Sequence, residues 1–185
     1  MSESDISAQN AHNAKGVFLL FTGNGKGKTT AALGLTLRMI GHGGRVCFIQ
    51  FIKGSWKYGE LEAASRFQDL LDFHVMGRGF TWKSDNPDKD IAAAREAWEF
   101  AQETIQKNQH QLVVLDELTY PITYGIIDEQ EVIRTIVARA PEMHIAVTGR
   151  GAGEQLVQAA DLVTEMQEVR HPYTNGTPAQ KGIEF

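Results

Sequence analysis

A short apolar run that ends in a glycine-rich turn is the feature that most constrains how this chain can fold. Residues 17–21 read Val-Phe-Leu-Leu-Phe, and residues 22–28 read Thr-Gly-Asn-Gly-Lys-Gly-Lys. An unbroken apolar run of this length is typical of a strand buried on both faces, as in a parallel sheet. Apolar residues then recur at helical spacing, so a helix is predicted over 28–40. They are Ala31, Ala32, Leu35 and Met39.

Strand and helix patterns alternate along the rest of the chain. Apolar runs predict strands at 45–52, 73–76, 112–115, 144–148 and 162–166. Helices are predicted over 59–67, 88–108 and 153–160. A further helix is predicted to begin at Asp128, with Glu131 completing a capping box, and to end before Pro141. Such alternation indicates a three-layer α/β fold, with a mostly parallel sheet covered by helices on both faces.

Composition narrows the classes of function and location. The chain has 185 residues, with 18 Lys and Arg against 23 Asp and Glu, so no basic surface for nucleic acid or an anionic membrane is indicated. Residues 16–185 are predicted to form a single domain. Residues 1–15 have no apolar core, which predicts a disordered or loosely helical extension and no signal peptide or membrane anchor. The one cysteine, Cys47, lies in an apolar run and favours burial and a cytoplasmic location.

The glycine turn has the composition of a phosphate-binding loop. Backbone N–H groups of such a turn, and the positive end of the next helix, converge on one anion site. We therefore expect a P-loop (RecA-like) fold that binds ATP, with the Lys28 ammonium on terminal phosphates and the Thr29 hydroxyl on Mg²⁺, or on Mn²⁺ in its place. The predicted ATP-binding residues of the loop are Gly23, Asn24, Gly25, Lys26, Gly27, Lys28, Thr29 and Thr30.

One position departs from the strict pattern Gly-x-x-x-x-Gly-Lys-Ser/Thr, because Thr22 stands where the first glycine is expected. The alternative to a nucleotide site is a glycine turn that binds nothing.

Charged residues follow two other predicted strands, at the edge where ligands of α/β proteins collect. Asp116 and Glu117 end the apolar run at 112–115, and we expect them to hold the metal directly or through water. An acidic strand end by itself is more typical of a solvated loop. Arg150 follows the strand at 144–148 and is a candidate clamp for an anion, the alternative being a surface arginine.

Two large aromatic residues, Phe80 and Trp82, lie in a loop-like segment at 76–84 that is rich in glycine and polar residues. Spaced two residues apart in an extended chain, they face the same side. The residues alone favour an interpretation in which both side chains fold back and cap the core.

Taken together, the motifs resemble those of the P-loop corrinoid adenosyltransferases of the CobA/CobO type. The resemblance covers nearly the whole chain, and Thr22 in place of glycine fits the family's pattern. The most distinctive blocks are Gly-Phe-Thr-Trp at 79–82 and Leu-Asp-Glu-Leu-Thr-Tyr at 115–120. The other matching blocks lie at 22–32, 50–54, 148–151 and 179–185.

The resemblance implies transfer of the 5′-deoxyadenosyl group of ATP to the cobalt(I) of a corrinoid, with release of triphosphate, in the biosynthesis or salvage of adenosylcobalamin. The acceptor, whether cobalamin, cobinamide or cobyrinic acid diamide, stays open. It further implies that ATP binds reversed relative to other P-loop proteins, and that Lys28 and Glu117 act in catalysis, Glu117 being preferred to Asp116 as the metal ligand. Phe80 and Trp82 would occupy the lower face of the corrin, which reverses the interpretation from the residues alone.

The resemblance also implies that the protein forms a homodimer, and a flavodoxin-like protein is a candidate electron donor. Two other functions compatible with the loop are a P-loop NTPase or kinase acting on the γ-phosphate and a non-catalytic ATP-binding module.

Overall fold

The computed structural model describes residues 15–54, 58–79 and 87–184. The predictions for residues 1–14, and those for Phe80 and Trp82, therefore fall outside the described ranges. The strands are β1 (Phe18–Thr22), β2 (Val46–Gln50), β3 (Leu71–Val75), β4 (Leu112–Asp116), β5 (His144–Thr148) and β6 (Leu162–Glu165). The helices are α1 (Lys28–Gly41), α2 (Gly59–Ala64), α3 (Pro87–Lys107), α4 (Thr119–Thr123), α5 (Glu129–Val137) and α6 (Glu154–Ala159), and a 3₁₀ turn spans Pro172–Asn175.

All pairings between these strands are parallel, and within the described ranges they form one sheet in the order β3-β2-β4-β5-β1-β6. Parallel pairing brings the carboxyl ends of the strands to the same edge. The segments that follow β1, β5, β4, β2 and β3 therefore lie along that edge in this order. The predicted fold class is confirmed.

Each central strand contributes side chains to both faces of the sheet, as a buried parallel strand must. On β2, Cys47 and Ile49 pack in the cluster that contains Trp98 of α3 and Ile136 of α5. On the other face of the same strand, Val46 and Phe48 pack in the cluster that contains Ala32 and Ile40 of α1. Burial in the first cluster raises the pKa of the Cys47 thiol to about 12.

The edge strand β6 differs, because all four of its residues are exposed and Leu162 keeps 43% of its surface in contact with solvent. In the described part of the chain, no helix is both long and apolar enough to span a bilayer.

The cap predicted at the start of α5 forms only in part. The Asp128 carboxylate accepts hydrogen bonds from the backbone N–H groups of Gln130 (3.3 Å) and Glu131 (3.2 Å). The Glu131 carboxylate accepts from Trp98 Nε1 at 3.0 Å and Gln102 Nε2 at 2.8 Å. The second half of the predicted capping box is thus replaced by a tie between α5 and α3.

Candidate functional site

The predicted phosphate loop connects β1 to α1, and glycines are required at three of its positions. Gly23 and Gly27 have φ values of 92° and 107°, in the left-handed region that glycine adopts readily. Gly25 donates its backbone N–H to the carbonyl of Met166 at 2.6 Å. A Cβ atom at Gly25 would lie 2.7 Å from the backbone of Gln167. The segment after β6 therefore forms a wall against which only glycine fits.

Lys28, the predicted phosphate-binding lysine, folds back over its own loop. Its Nζ donates hydrogen bonds to the carbonyls of Gly23 (2.8 Å) and Gly25 (2.5 Å). Burial lowers the pKa of this ammonium, the neighbouring Arg150 lowers it further, and Glu117 opposes both effects. The lysine is thus oriented across the loop, close to the other charged groups of the site.

Asp116 at the end of β4 is fully buried, and its carboxylate accepts three side-chain hydrogen bonds. Thr29 Oγ1 donates to Oδ1 at 2.9 Å, Thr148 Oγ1 donates to the same atom at 2.7 Å, and Gln50 Nε2 donates to Oδ2 at 3.2 Å. Burial raises the pKa of Asp116, and these hydrogen bonds oppose the shift. The carboxylate therefore links the phosphate loop to the ends of β2, β4 and β5.

Glu117, the next residue, has a strained backbone and a partly buried side chain that borders the cavity. Its φ of 64° lies in the left-handed region, which is uncommon for any residue other than glycine. Its N–H donates to Thr148 Oγ1 at 2.9 Å. Burial and the neighbouring Asp116 raise the pKa of Glu117 to about 7, against the lowering effect of Lys53, Lys28 and Arg150. A cation placed beside the Glu117 carboxylate would stabilise its ionised form.

Arg150 lies after β5, where the sequence predicted it, and borders the same cavity. The backbone around it is packed against α4: Gly149 has a φ of 145°, and a Cβ atom there would overlap Thr119 Oγ1. Thr119 Oγ1 in turn donates to the carbonyl of Arg150 at 2.7 Å. The loops that carry Glu117 and Arg150 are thereby joined.

Lys28, Thr29, Glu117 and Arg150 line one cavity of about 530 Å³, whereas Asp116 is not among its lining residues. Of the predicted loop residues, 25–30 line it, whereas Gly23 and Asn24 lie outside its lining. Residues not predicted from the sequence also line it: Lys53, Glu60, Tyr120 and the segment 182–184. In that segment, Glu184 forms an ion pair with Lys26. The described residues contain no group of three or more His, Cys, Asp or Glu side chains that could hold a metal ion.

A family model for the ATP:corrinoid adenosyltransferases BtuR/CobO/CobP matches residues 14–185. The chain belongs to this family. The corrinoid adenosyltransferase of Pseudomonas aeruginosa is 42% identical over 181 residues, which cover 98% of this chain and 89% of that one. The corrinoid adenosyltransferase CobA of Salmonella typhimurium is 39% identical over 181 residues, which cover 98% of this chain and 91% of that one.

A solved structure extends the comparison to the fold alone. The flagellar accessory protein FlaH from Methanocaldococcus jannaschii superposes with a TM-score of 0.55 at 9% identity, over 89% of this chain and 77% of that one. The resemblance read from the motifs is confirmed, as is the enzyme class, an ATP:corrinoid adenosyltransferase. The family's name describes an adenosyltransferase, and not a kinase or a non-catalytic binding module.

Proposed function

We propose that the cavity binds the triphosphate of ATP while the 5′-deoxyadenosyl group passes to the cobalt of a corrinoid, with triphosphate as the leaving group. The observation that supports this most strongly is the convergence of Lys28, Thr29, Glu117 and Arg150 on one cavity in a chain of this family.

The chemistry requires stabilisation of the negative charge that develops on the triphosphate as the C5′–O bond breaks. We propose that the backbone N–H groups of the loop, together with Lys26, Lys28 and Arg150, supply it. Lys28 is already partly desolvated, so its interaction with an incoming anion is screened less than at the surface. ATP bound with C5′ directed away from the loop would present the reacting carbon to the corrinoid.

The residues around the loop fit a bound Mg²⁺ ion. Thr29 gives its hydroxyl hydrogen to Asp116, which leaves an oxygen lone pair for a metal. Both oxygens of Asp116 already accept hydrogen bonds, so we propose that Asp116 orients Thr29 and acts on the metal through it or through water. Glu117 faces the cavity and is proposed as the second ligand. Mg²⁺ commonly takes one or two protein ligands, and phosphates and water complete the shell.

We propose that Phe80 and Trp82 cover the lower face of the corrin and keep axial ligands off cobalt, which eases reduction to cobalt(I). This rests on the resemblance at 79–82. Gly79, directly before Phe80, donates its N–H to the carbonyl of Ile52 at 2.8 Å, close to the ends of β2 and β3. Residues 77–79 form the base of the segment that carries Phe80 and Trp82, here called the aromatic segment. This base is thus held beside the cavity.

We further propose a homodimer in the cytoplasm that receives electrons from a flavodoxin-like donor, with residues 16–185 as one domain. The exposed edge strand β6 supports association, because parallel sheets are normally covered on both faces. The buried, single Cys47 supports a reducing compartment.

One assay tests the proposed reaction. The protein is supplied with ATP, Mg²⁺, a reductant and hydroxocobalamin, and we expect a light-sensitive alkylcobalt product together with one equivalent of triphosphate. ADP as the product would contradict adenosyl transfer in favour of attack at the γ-phosphate, and ATP binding with no product would favour a binding module. Lys28→Ala should lose product formation, whereas Lys107→Ala, a matched change on the exposed face of α3, should not.

A further inference from the structure

Lys53 is a cation of the cavity to which neither the motifs nor the family comparison gives a role. It follows β2, whereas the phosphate loop follows β1 and the segment leading into Phe80 follows β3. The sheet order β3-β2-β4-β5-β1 places β2 next to β3 and on the side of the edge away from β1. Lys53 therefore lies between the phosphate loop and Gly79, the described residue directly before Phe80.

Two contacts hold the Lys53 ammonium in the cavity wall. Its Nζ lies 2.5 Å from Glu60 Oε1 and 4.6 Å from the centre of the Tyr58 ring. The Lys53 and Glu60 side chains are only 22% and 17% exposed. An ion pair and a cation–π contact at such exposure limit the rotamers of a long side chain before any ligand arrives. The ammonium is positioned in advance.

Its charge reaches the acidic groups of the site. Lys53 opposes the effect of burial on the pKa of both Glu117 and Asp116. Lys28 and Arg150 act on the pKa of Glu117 in the same direction. Glu117 therefore lies within the influence of three cations, one on the phosphate loop, one on the segment after β2 and Arg150 after β5.

The backbone on either side of Lys53 is packed directly against the base of the aromatic segment. Ile52 accepts the N–H of Gly79 at 2.8 Å. A Cβ atom at Gly77 would lie 2.3 Å from the carbonyl carbon of Ile52, and one at Gly54 would lie 3.0 Å from the backbone of Arg78. The segments 52–54 and 77–79 thus lie in contact, and a shift of one displaces the other.

We propose that Lys53 is a further catalytic residue, which hydrogen-bonds the oxygen of the α-phosphate that leaves C5′. This rests on the proposed function. The electron pair of cobalt(I) forms the Co–C5′ bond, the C5′–O bond breaks, and its electron pair stays on the triphosphate oxygen beside Lys53. Cobalt is formally oxidised by two electrons, the C5′ carbon that alkylates it is the acceptor, and no proton needs to move. Glu60 and Tyr58 act through Lys53 and are positioning residues.

The test is Lys53→Met, with Lys53→Arg as the conservative variant and Lys107→Met as the matched control on an exposed Lys–Glu pair of α3. Turnover is measured with the corrinoid supplied as preformed cobalt(I), so that reduction is not part of the rate. We expect kcat of K53M to fall by about 100-fold or more while KM for ATP changes by less than about threefold. K53R should recover at least about tenfold of that loss, since it restores the charge. K107M should match the wild type.

A Glu60→Gln change separates positioning from packing. We expect a fall in kcat smaller than that of K53M, and no further fall when E60Q is added to K53M, because both act through one ammonium. Additive losses would overturn the positioning role of Glu60. For Lys53 itself, a kcat of K53M within about threefold of wild type overturns the proposal, as does a raised KM with kcat unchanged.

If K53M unfolds at a lower temperature than K107M, the same turnover measurement is made on Lys53→Gln, which places a polar, uncharged side chain in the cavity wall. A wild-type protein that forms no alkylcobalt product contradicts the proposed function itself, whereas an active wild type with an equally active K53M contradicts only the role of Lys53.

Discussion

Replacing Glu117 by Gln should make the nucleotide-free protein more stable, and increasingly so as the pH rises. The pKa of Glu117 is raised from 4.5 to about 7 by burial and by Asp116. A carboxyl group whose pKa is raised on folding binds its proton more tightly in the native state, so its contribution to stability is lost as the pH increases from the unfolded to the folded pKa. Gln remains neutral throughout and does not incur this loss.

The full shift corresponds to about 3 kcal/mol at about 1.4 kcal/mol per pKa unit. Because the unfolded carboxyl is already partly ionised at about pH 5, the stability difference between E117Q and wild type should grow by about 2–3 kcal/mol from about pH 5 to about pH 8.5. Urea unfolding at the two pH values, without nucleotide or divalent ions, measures it.

The matched control is Glu103→Gln on the exposed face of α3, where the side chain is 63% exposed. Its effect should stay within about 0.5 kcal/mol at both pH values. A difference between E117Q and wild type that does not change with pH, or that shifts in favour of wild type at high pH, would refute the argument. The same variant should lose Mg²⁺-dependent product formation, so stability and activity are expected to move in opposite directions.

Three further outcomes are expected. Gly25→Ala should weaken ATP binding by more than about tenfold in calorimetry, because its Cβ would meet backbone at 2.7 Å, whereas Gly34→Ala, with open space around it, should bind normally and gain up to about 1 kcal/mol in stability. Cys47, with a pKa of about 12, should react with iodoacetamide only as fast as the protein unfolds, and rapid labelling under native conditions would contradict its burial. Phe80→Ala and Trp82→Ala should lose activity when cobalt is reduced on the enzyme and retain more when cobalt(I) is supplied, and equal loss in both assays would contradict the proposed role.

β1, β2 and β4 were predictable because each begins with four consecutive apolar residues, and for the predicted strands only the ends shifted. β3 begins at Leu71, two residues before its predicted start. Leu71 is buried, but the polar residue Asp72 interrupts the apolar pattern, so the predicted strand began at Phe73. α4 was missed since Pro121 in a five-residue segment reads as a turn. Its position in the first turn of the helix, where no N–H partner is needed, makes it compatible with a helix.

The position of the candidate site residues was predictable where they lie together in one motif, and not where it depends on tertiary contacts. Residues 25–30 of the glycine loop, Glu117 and Arg150 border the cavity, whereas Gly23 and Asn24 do not. Asp116 was predicted to hold a metal, but the sequence could not show that both its oxygens are engaged by threonine and glutamine side chains. Lys53 and the segment 182–184 carried no signal of their own beyond lying in blocks that resemble the family.

The lysine folded over the phosphate loop makes nucleotide binding an exchange of hydrogen bonds. In the proposed complex Lys28 would give up its bonds to Gly23 and Gly25 as it turns to a phosphate, so part of the gross attraction would replace an interaction that already exists. The affinity for ATP would then reflect the difference between two hydrogen-bonded states of the lysine. A small anion that cannot offer the ammonium as good a set of acceptors as the loop's own carbonyls should leave the lysine where it is, which favours the polyphosphate over inorganic phosphate.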